Sequence, residues 1–369
     1  MNMELNPGFK PTDEGGIPEG WHECDISDLC TLQRGFDLTE ATSKPGAIPV
    51  YSSSGLSYFH NEAKLPPPAV ITGRKGLLGR VFLVEEPCWP HDTTLWVKDF
   101  KGNDPRFVSV FLRHFRLERF DAATSVPTLN RNNVVGHTIR LPSLPEQRSI
   151  AIALSDVDSF LDSLTLLIDK KRDIQKASLR LLLTGQHRLP GFGGEWTEVN
   201  LGEVSLISKG EQLSQNKNTH GLIPHFNGGV SASGYTDTAN TPKNTIAISE
   251  GGNSCGFVQF VTTPFWCGGH CYAVHPRGIE NLFLYFSLKG KQDSIMGLRV
   301  GSGLPNIQKT ALTSFKIALP RSRDEQTAIA TFLVDMDTEL AALEARRDKA
   351  RQLKQGMIQE LLAGRIRLA

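Results

Sequence analysis

Residues Glu146–Leu189 read EQRSIAIALSDVDSFLDSLTLLIDKKRDIQKASLRLLLTGQHRL, and residues Glu325–Leu368 read EQTAIATFLVDMDTELAALEARRDKARQLKQGMIQELLAGRIRL. One constant offset aligns the two stretches without a gap. Glu146, Gln147, Ile150 and Ala151 fall on Glu325, Gln326, Ile329 and Ala330. Leu154, Asp156, Asp158, Leu161, Leu164 and Lys170 fall on Leu333, Asp335, Asp337, Leu340, Leu343 and Lys349. Leu182, Leu183, Gly185, Arg188 and Leu189 fall on Leu361, Leu362, Gly364, Arg367 and Leu368. The chain is an internal duplication, and its fold is to be read as two copies of one plan.

Each copy has the spacing of a long helix. Ile150, Leu154, Val157, Leu161, Leu164 and Ile168 step by four and three, which puts them on one face. Leu179 and Leu182 resume that register after a charged break at Lys170-Lys171-Arg172. The second copy continues with Ile329, Leu333, Met336, Leu340, Leu343, Ala350, Ile358 and Leu361. Pro145 lies just upstream of the first helix, and Gly185 and Gly364 close the two ends. A seam of this length needs apolar cover. Each helix packing on its own globular domain is one solution. The two copies packing on each other is the preferred one, because one seam can bury the other. The predicted helix–helix interface is Ile150, Leu154, Val157, Leu161 and Leu164 against Ile329, Leu333, Met336, Leu340 and Leu343.

The remaining sequence also repeats. Asn6-Pro7-Gly8-Phe9 resembles Leu189-Pro190-Gly191-Phe192, and Glu19-Gly20-Trp21 resembles Gly194-Glu195-Trp196. The repeat reads as a ring opened at one linker, with its ends close together and its helices antiparallel. Residues 1–20 form an extended arm and residues 21–144 a first globular domain. Residues 145–189 form the first long helix, 190–320 a second globular domain and 321–369 the second long helix. In the first domain strands are expected at Ile48–Ser52, Ala69–Thr72, Val81–Val84 and Leu95–Val97, with a helix over Phe107–Phe120 and a last strand over Val134–Leu141. In the second domain Ile223-Pro224, Ile248, Pro264 and Trp266 stand where Ile48-Pro49, Ile71, Pro87 and Trp89 stand in the first. A helix over Ile279–Leu288 replaces Phe107–Phe120. The loop Ser302–Asn306 replaces Ser125–Asn130.

Composition narrows the class. The 369 residues suffice for about two domains. No apolar run approaches the ~20 residues of a membrane span. The N-terminal stretch has no secretory-signal pattern, so the cytoplasm is the expected location and the six cysteines are expected to stay reduced. Forty Lys and Arg balance 39 Asp and Glu, which argues against non-specific coating of nucleic acid but not against local basic surfaces.

No catalytic signature is present. There is no G-x-x-x-x-G-K-[ST] phosphate loop, and Gly301-Ser302-Gly303 lies in a loop before a strand. The amino-methyltransferase pattern Asn-Pro-Pro-aromatic is missing, and Pro66-Pro67-Pro68 has the wrong flanks. Cys267-Gly268-Gly269-His270-Cys271 is the most metal-like cluster, but it lacks the second close pair that zinc prefers, and no metal is assigned to it.

Polar and basic residues crowd the loops of both domains. In the first they are Arg34, Arg74, Lys75, Arg80, Asn130, Arg131 and Asn132. In the second they are Lys209, Lys217, Asn218, Asn227, Asn253, Arg299, Asn306 and Lys309. Arginine pairs with guanine, Asn and Gln with adenine, and lysine with phosphate, so the set, repeated in both halves, favours nucleic-acid contact. Taken singly, each is also ordinary loop chemistry.

A strand ending in Leu-Pro, then Glu-Gln-x-x-Ile-Ala opening a long helix, then Leu-Leu-x-Gly-x-x-Arg-Leu closing it, occurs twice. In this the chain resembles the specificity subunit of type I restriction-modification systems, over nearly its whole length. The resemblance implies an α+β fold with two pseudo-two-fold related globular target-recognition domains, each a mixed β-sheet with short helices. They are separated by two long antiparallel helices forming a coiled-coil-like rod. It implies a non-catalytic subunit that binds double-stranded DNA, each domain reading one half of a bipartite site. The helices would set the spacer and dock two methyltransferase subunits. An ATP-dependent nuclease or translocase subunit would join for cleavage. S-adenosylmethionine, ATP and magnesium would be used by those partners and none bound by this chain. A helix of about 38 residues is roughly 57 Å long at ~1.5 Å per residue, enough to span half-sites ~34–36 Å apart. The competing reading is a coiled-coil adaptor that presents two domains to protein ligands.

Overall fold

The computed structural model describes residues 8–12, 15–121, 125–213, 221–301 and 303–368. The chain divides into two compact units, Met1–Leu164 with Arg346–Ala369, and Thr165–Ala345. Both boundaries cut through the long helices, which run over Leu144–Leu182 and Arg323–Leu362. The first helix does not break at Lys170–Arg172. It passes through them as one helix, because Lys171 pairs with Glu339 and Arg172 with Glu344 on the second helix. Pro145 lies inside the first turn, where its missing N–H costs nothing.

Unit 1 is built on a four-stranded antiparallel sheet, in the order Thr31–Arg34, Thr94–Asp99, Ala69–Gly73, Val81–Val84. A three-stranded sheet orders Gly55–His60, Ile48–Ser52 and Trp89–Pro90, the last pair parallel. Thr138–Leu141 pairs with His22–Asp25 and leads into the long helix. Unit 2 repeats the plan. Its four strands are Ser205–Lys209, Cys271–Pro276, Thr245–Ser249 and Val258–Val261. Its three-stranded sheet is Gly234–Thr236, Ile223–Phe226 and Trp266–Cys267, and Trp196–Asn200 pairs with Lys316–Pro320.

The helix expected over Ile279–Leu288 runs instead over Asn281–Gly290, because Glu280 caps its start, and three other local expectations change. Residues 9–12 and 15–18 pair as antiparallel strands rather than forming an extended arm. The helix of the first domain is Pro105–Phe115. It stops because Arg116 turns left-handed at φ +59°, and a 3-10 turn, Leu117–Phe120, follows. The last strand is only Thr138–Leu141, because Asn130 caps a 3-10 turn over Arg131–Asn133 and draws that segment out of the sheet.

The predicted seam is buried at both ends and again at Leu164 and Ile168. In unit 1, Ile150, Ala151 and Leu154 share a core with Trp21, Phe107 and Leu112, and with Leu361 and Leu362 of the second helix. In unit 2, Ile329, Ala330 and Leu333 share a core with Phe283, Leu284, Leu182 and Leu183. Helix-on-domain and helix-on-helix packing therefore occur together. Of the predicted interface Leu164 is also buried, whereas Val157, Leu161, Met336, Leu340 and Leu343 are half-buried. Within unit 1, Glu146 meets Arg367 and Asp158 meets Lys354. Within unit 2, Lys171 meets Glu339 and Arg188 meets Glu325. In each unit one number rises as the other falls, so the paired segments run antiparallel.

The duplicated Glu-Gln has a structural role at each helix start. Arg367 donates to both oxygens of Glu146 at 2.6 and 2.8 Å, and Trp21 Nε1 donates to Glu146 Oε2 at 2.8 Å. Arg188 grips Glu325 in the same way, with both bonds 2.5 Å. Gln147 Nε2 donates to the Pro142 carbonyl, and its Oε1 accepts from the N–H of Asp104, the N-cap of Pro105–Phe115. Gln326 does both for Pro320 and for Glu280, the N-cap of Asn281–Gly290. Gly185 and Gly364 take φ of +70° and +69° after the last helical turn, a conformation glycine adopts without strain.

Candidate nucleic-acid interface

In unit 1 the candidate interface lies where three loops meet the end of the first sheet strand. The loop after Ala69–Gly73 is tied to the loop before Asn130. Leu129 N–H donates to the Arg74 carbonyl at 2.8 Å, and Gly76 N–H to the Pro127 carbonyl at 2.9 Å. Arg74 and Lys75 N–H both donate to the Thr93 carbonyl, which adds the third loop. Leu129 is fully buried and anchors the group.

Four of the predicted residues, Arg34, Arg74, Asn130 and Arg131, line one depression of about 490 Å³, together with Gln33 and Thr128. Arg34 is held by Asp92 at 3.1 Å and Asp37 at 2.8 Å. Arg74 Nη1 donates to the Asp92 carbonyl at 3.2 Å. Lys75 is exposed beside Thr128, to which its backbone is bridged, and Asn132 is exposed on the turn that Asn130 caps. Arg80 donates to the Ser54 carbonyl and is not part of the depression.

Unit 2 repeats the frame with different side chains. Ile307 N–H donates to the Glu250 carbonyl at 2.9 Å, and Gly252 N–H to the Pro305 carbonyl at 3.0 Å. Glu250 N–H donates to the His270 carbonyl. Lys209 Nζ lies 2.6 Å from Glu250 Oε1, and the Tyr272 hydroxyl lies 3.0 Å from both that oxygen and the Ile307 carbonyl. Burial and the Glu250 carboxylate both push the Tyr272 phenol up, so it remains a neutral donor. Asn227 Oδ1 accepts the N–H of His270 at 2.9 Å. Asn253 and Arg299 are exposed on the adjoining loops. Asn306 is exposed and exchanges two backbone bonds with Val300, and Lys309 opens the short helix Lys309–Thr313. Lys217 and Asn218 lie outside the described residues.

Sequence reasoning missed Asp92 and Glu250, the carboxylates that orient the cations. An acidic residue alone in a loop carries no local signal of which distant cation it will face. The Cys267 and Cys271 thiols are buried beside Ala247, Phe265 and Ala273, and no group of three or more metal-binding side chains occurs among the described residues.

The family model described as "Type I restriction modification DNA specificity domain" matches the chain twice, over residues 18–170 and 193–352. The chain belongs to that family. The two matches coincide with the two copies of the plan, each running from the sheet-rich region into its long helix. A putative type I specificity subunit from Mycoplasma genitalium is 35% identical over 163 residues, 43% of this chain and 42% of that protein. The EcoDI specificity subunit of Escherichia coli is 32% identical over 161 residues, 44% of this chain and 35% of its own length. These matches thus span less than half of either relative. The crystal structure of a type I restriction-modification S subunit from M. genitalium shares the fold, with a TM-score of 0.68 at 19% identity over 97% of this chain and 98% of that one.

Proposed function

We propose that this chain is the DNA-reading subunit of a type I restriction-modification complex. Residues 21–144 and 190–320 each read one half of a bipartite duplex site. The long helices, within 145–189 and 321–369, fix the gap between the halves and dock two methyltransferase subunits. The observation that supports this best is the loop frame that occurs in both units with different polar side chains mounted on it. A shared backbone with exchanged side chains suits one task performed on two sequences.

The chain itself performs no chemistry in this reading. Methyl transfer from S-adenosylmethionine, and ATP- and magnesium-dependent translocation and cleavage by a nuclease subunit, belong to its partners in the cytoplasm. No helix among the described residues is long and apolar enough to cross a membrane. Single-molecule sequencing of adenine methylation tests the proposal, in cells that express a cognate methyltransferase with and without this chain. A split motif that disappears with the chain is the expected result. Methylation indifferent to the chain, with the methyltransferase active, favours a protein–protein adaptor instead. Binding of the complex to its duplex should weaken steeply with salt, as phosphate contacts require.

A further inference from the structure

The two loop frames can be superposed residue by residue from their hydrogen bonds. Arg34 faces Leu95, which faces Thr72, while Lys209 faces Tyr272, which faces Ile248. Arg34 and Lys209 therefore occupy one position, and Thr72 and Ile248 another, so the counterpart of Ile71 is Ala247 rather than the Ile248 expected from sequence. The residue whose carbonyl accepts from Leu129 in unit 1 is Arg74, and the one that accepts from Ile307 in unit 2 is Glu250. Two residues beyond those donors stand Arg131 and Lys309, each opening the turn or short helix that follows.

Two of the three positions thus keep a cation in both units, and the third carries opposite charges. Phosphates are present in both halves of any duplex site, so a phosphate contact favours a cation in both units. A position that changes from Arg to Glu serves something that differs between the halves, and what differs is the bases. Arg74 is half-buried in its depression, and its Nη1 bond to the Asp92 carbonyl fixes the plane of the guanidinium. A fixed planar fork with donors to spare matches the O6 and N7 acceptors of guanine. Glu250 at the same place turns to Lys209 and Tyr272 and offers no such fork.

We infer that Arg74 reads a guanine in the half-site engaged by unit 1, whereas Arg131 and Lys309 contact phosphate in both halves. The inference rests on the DNA-reading function proposed above. Arg74→Gln, Arg74→Lys and Arg131→Ala, each in the full chain with its methyltransferase, are compared by methylation sequencing. The wild-type motif should contain a guanine in one half. Arg74→Gln should lower the preference for that guanine roughly 5- to 150-fold, the equivalent of about 1–3 kcal/mol for a bidentate base contact, and leave the other half unchanged. Arg74→Lys should relax the same position, since a lysine lacks the fork. It also decides the matter if the Gln variant fails to accumulate. Arg131→Ala should lower methylation at all sites without changing the motif. The inference is overturned if neither half contains guanine, or if both Arg74 variants keep the wild-type motif. It is also overturned if Arg74→Gln abolishes methylation while Arg74→Lys restores the wild-type motif, which would make Arg74 a phosphate contact. Wild-type methylation that ignores the chain would instead refute the proposed function itself.

Discussion

Trp21 donates its indole N–H to Glu146 over 2.8 Å, whereas Trp196, at the equivalent place in unit 2, finds no hydrogen-bond partner for its own Nε1 among the described residues. Both indoles are packed beside the arginine that grips the glutamate, at 6.0 Å for Arg367 and 5.9 Å for Arg188. Trp21→Phe therefore removes a hydrogen bond to a charged group, and Trp196→Phe does not. The first should cost about 1.5–3 kcal/mol more than the second. Hydrogen exchange resolved for each unit under increasing urea gives both numbers. Equal losses would mean that the indole bond contributes nothing.

Gly364 permits a close approach that alanine forbids. A Cβ there would lie 2.5 Å from Pro18 Cγ, on a residue at φ +69°. At Gly185 the closest atom is Trp196 Cδ2, at 3.0 Å. The left-handed conformation alone costs an L residue about 1–2 kcal/mol. Both alanine variants should lose at least that, and Gly364→Ala more, because a proline ring 2.5 Å away has to be displaced. Thermal unfolding of the two variants, compared with the wild-type protein, measures the order.

The helices contain 39 and 40 residues, so each is roughly 59 Å long at ~1.5 Å per residue. Removing four residues from the middle of each, in register, shortens both by roughly 6 Å. The proposed role in setting the spacer predicts a methylation motif whose halves are unchanged and whose gap is shorter, or loss of methylation altogether. An unchanged gap with full methylation would exclude that role.

Acidification should destabilise the fold through buried histidines. Burial holds His225 and His275 below the ordinary histidine range, and His225 Nε2 is buried without a hydrogen-bond partner among the described residues. The unfolded chain then binds protons that the folded chain does not. Stability is full above the ordinary histidine pKa of ~6.5 and declines as pH falls through it. The thermal midpoint should drop between pH 7.5 and 5.5, and His225→Gln should flatten that slope. A variant with the wild-type slope would remove His225 from the explanation.

The long helices were legible because periodicity and a gapless repeat both act over many residues. Lys170–Arg172 misled for a physical reason. Three successive charges look like a break when the helix is taken alone, and become interface once Glu339 and Glu344 face them. The strands Ile48–Ser52 and Val81–Val84 were read to the residue, since their apolar runs are bounded by turns. Arg34, Arg74, Asn130 and Arg131 were singled out by chemistry alone. Their gathering round one depression was invisible, because the bonds that do it join loops about 50 residues apart. Likewise the Glu-Gln pair could be recognised as a signature, but not as one half of a joint whose other half, Arg188 or Arg367, lies in the other copy.

Unit 2 is a single continuous segment, Thr165–Ala345, whereas unit 1 is completed only by residues from Arg346 onward. Leu361 and Leu362 belong to the core that holds Trp21, and Arg367 neutralises Glu146 beside it. The simple order, in which an N-terminal domain has all its residues before the next one does, therefore does not hold here. Unit 1 emerges first and waits with an open apolar face and a buried carboxylate unmatched, and unit 2 is the first to have all its parts. A chain cut at residue 345 would keep every segment of the second half and leave the first without Leu361, Leu362 and Arg367.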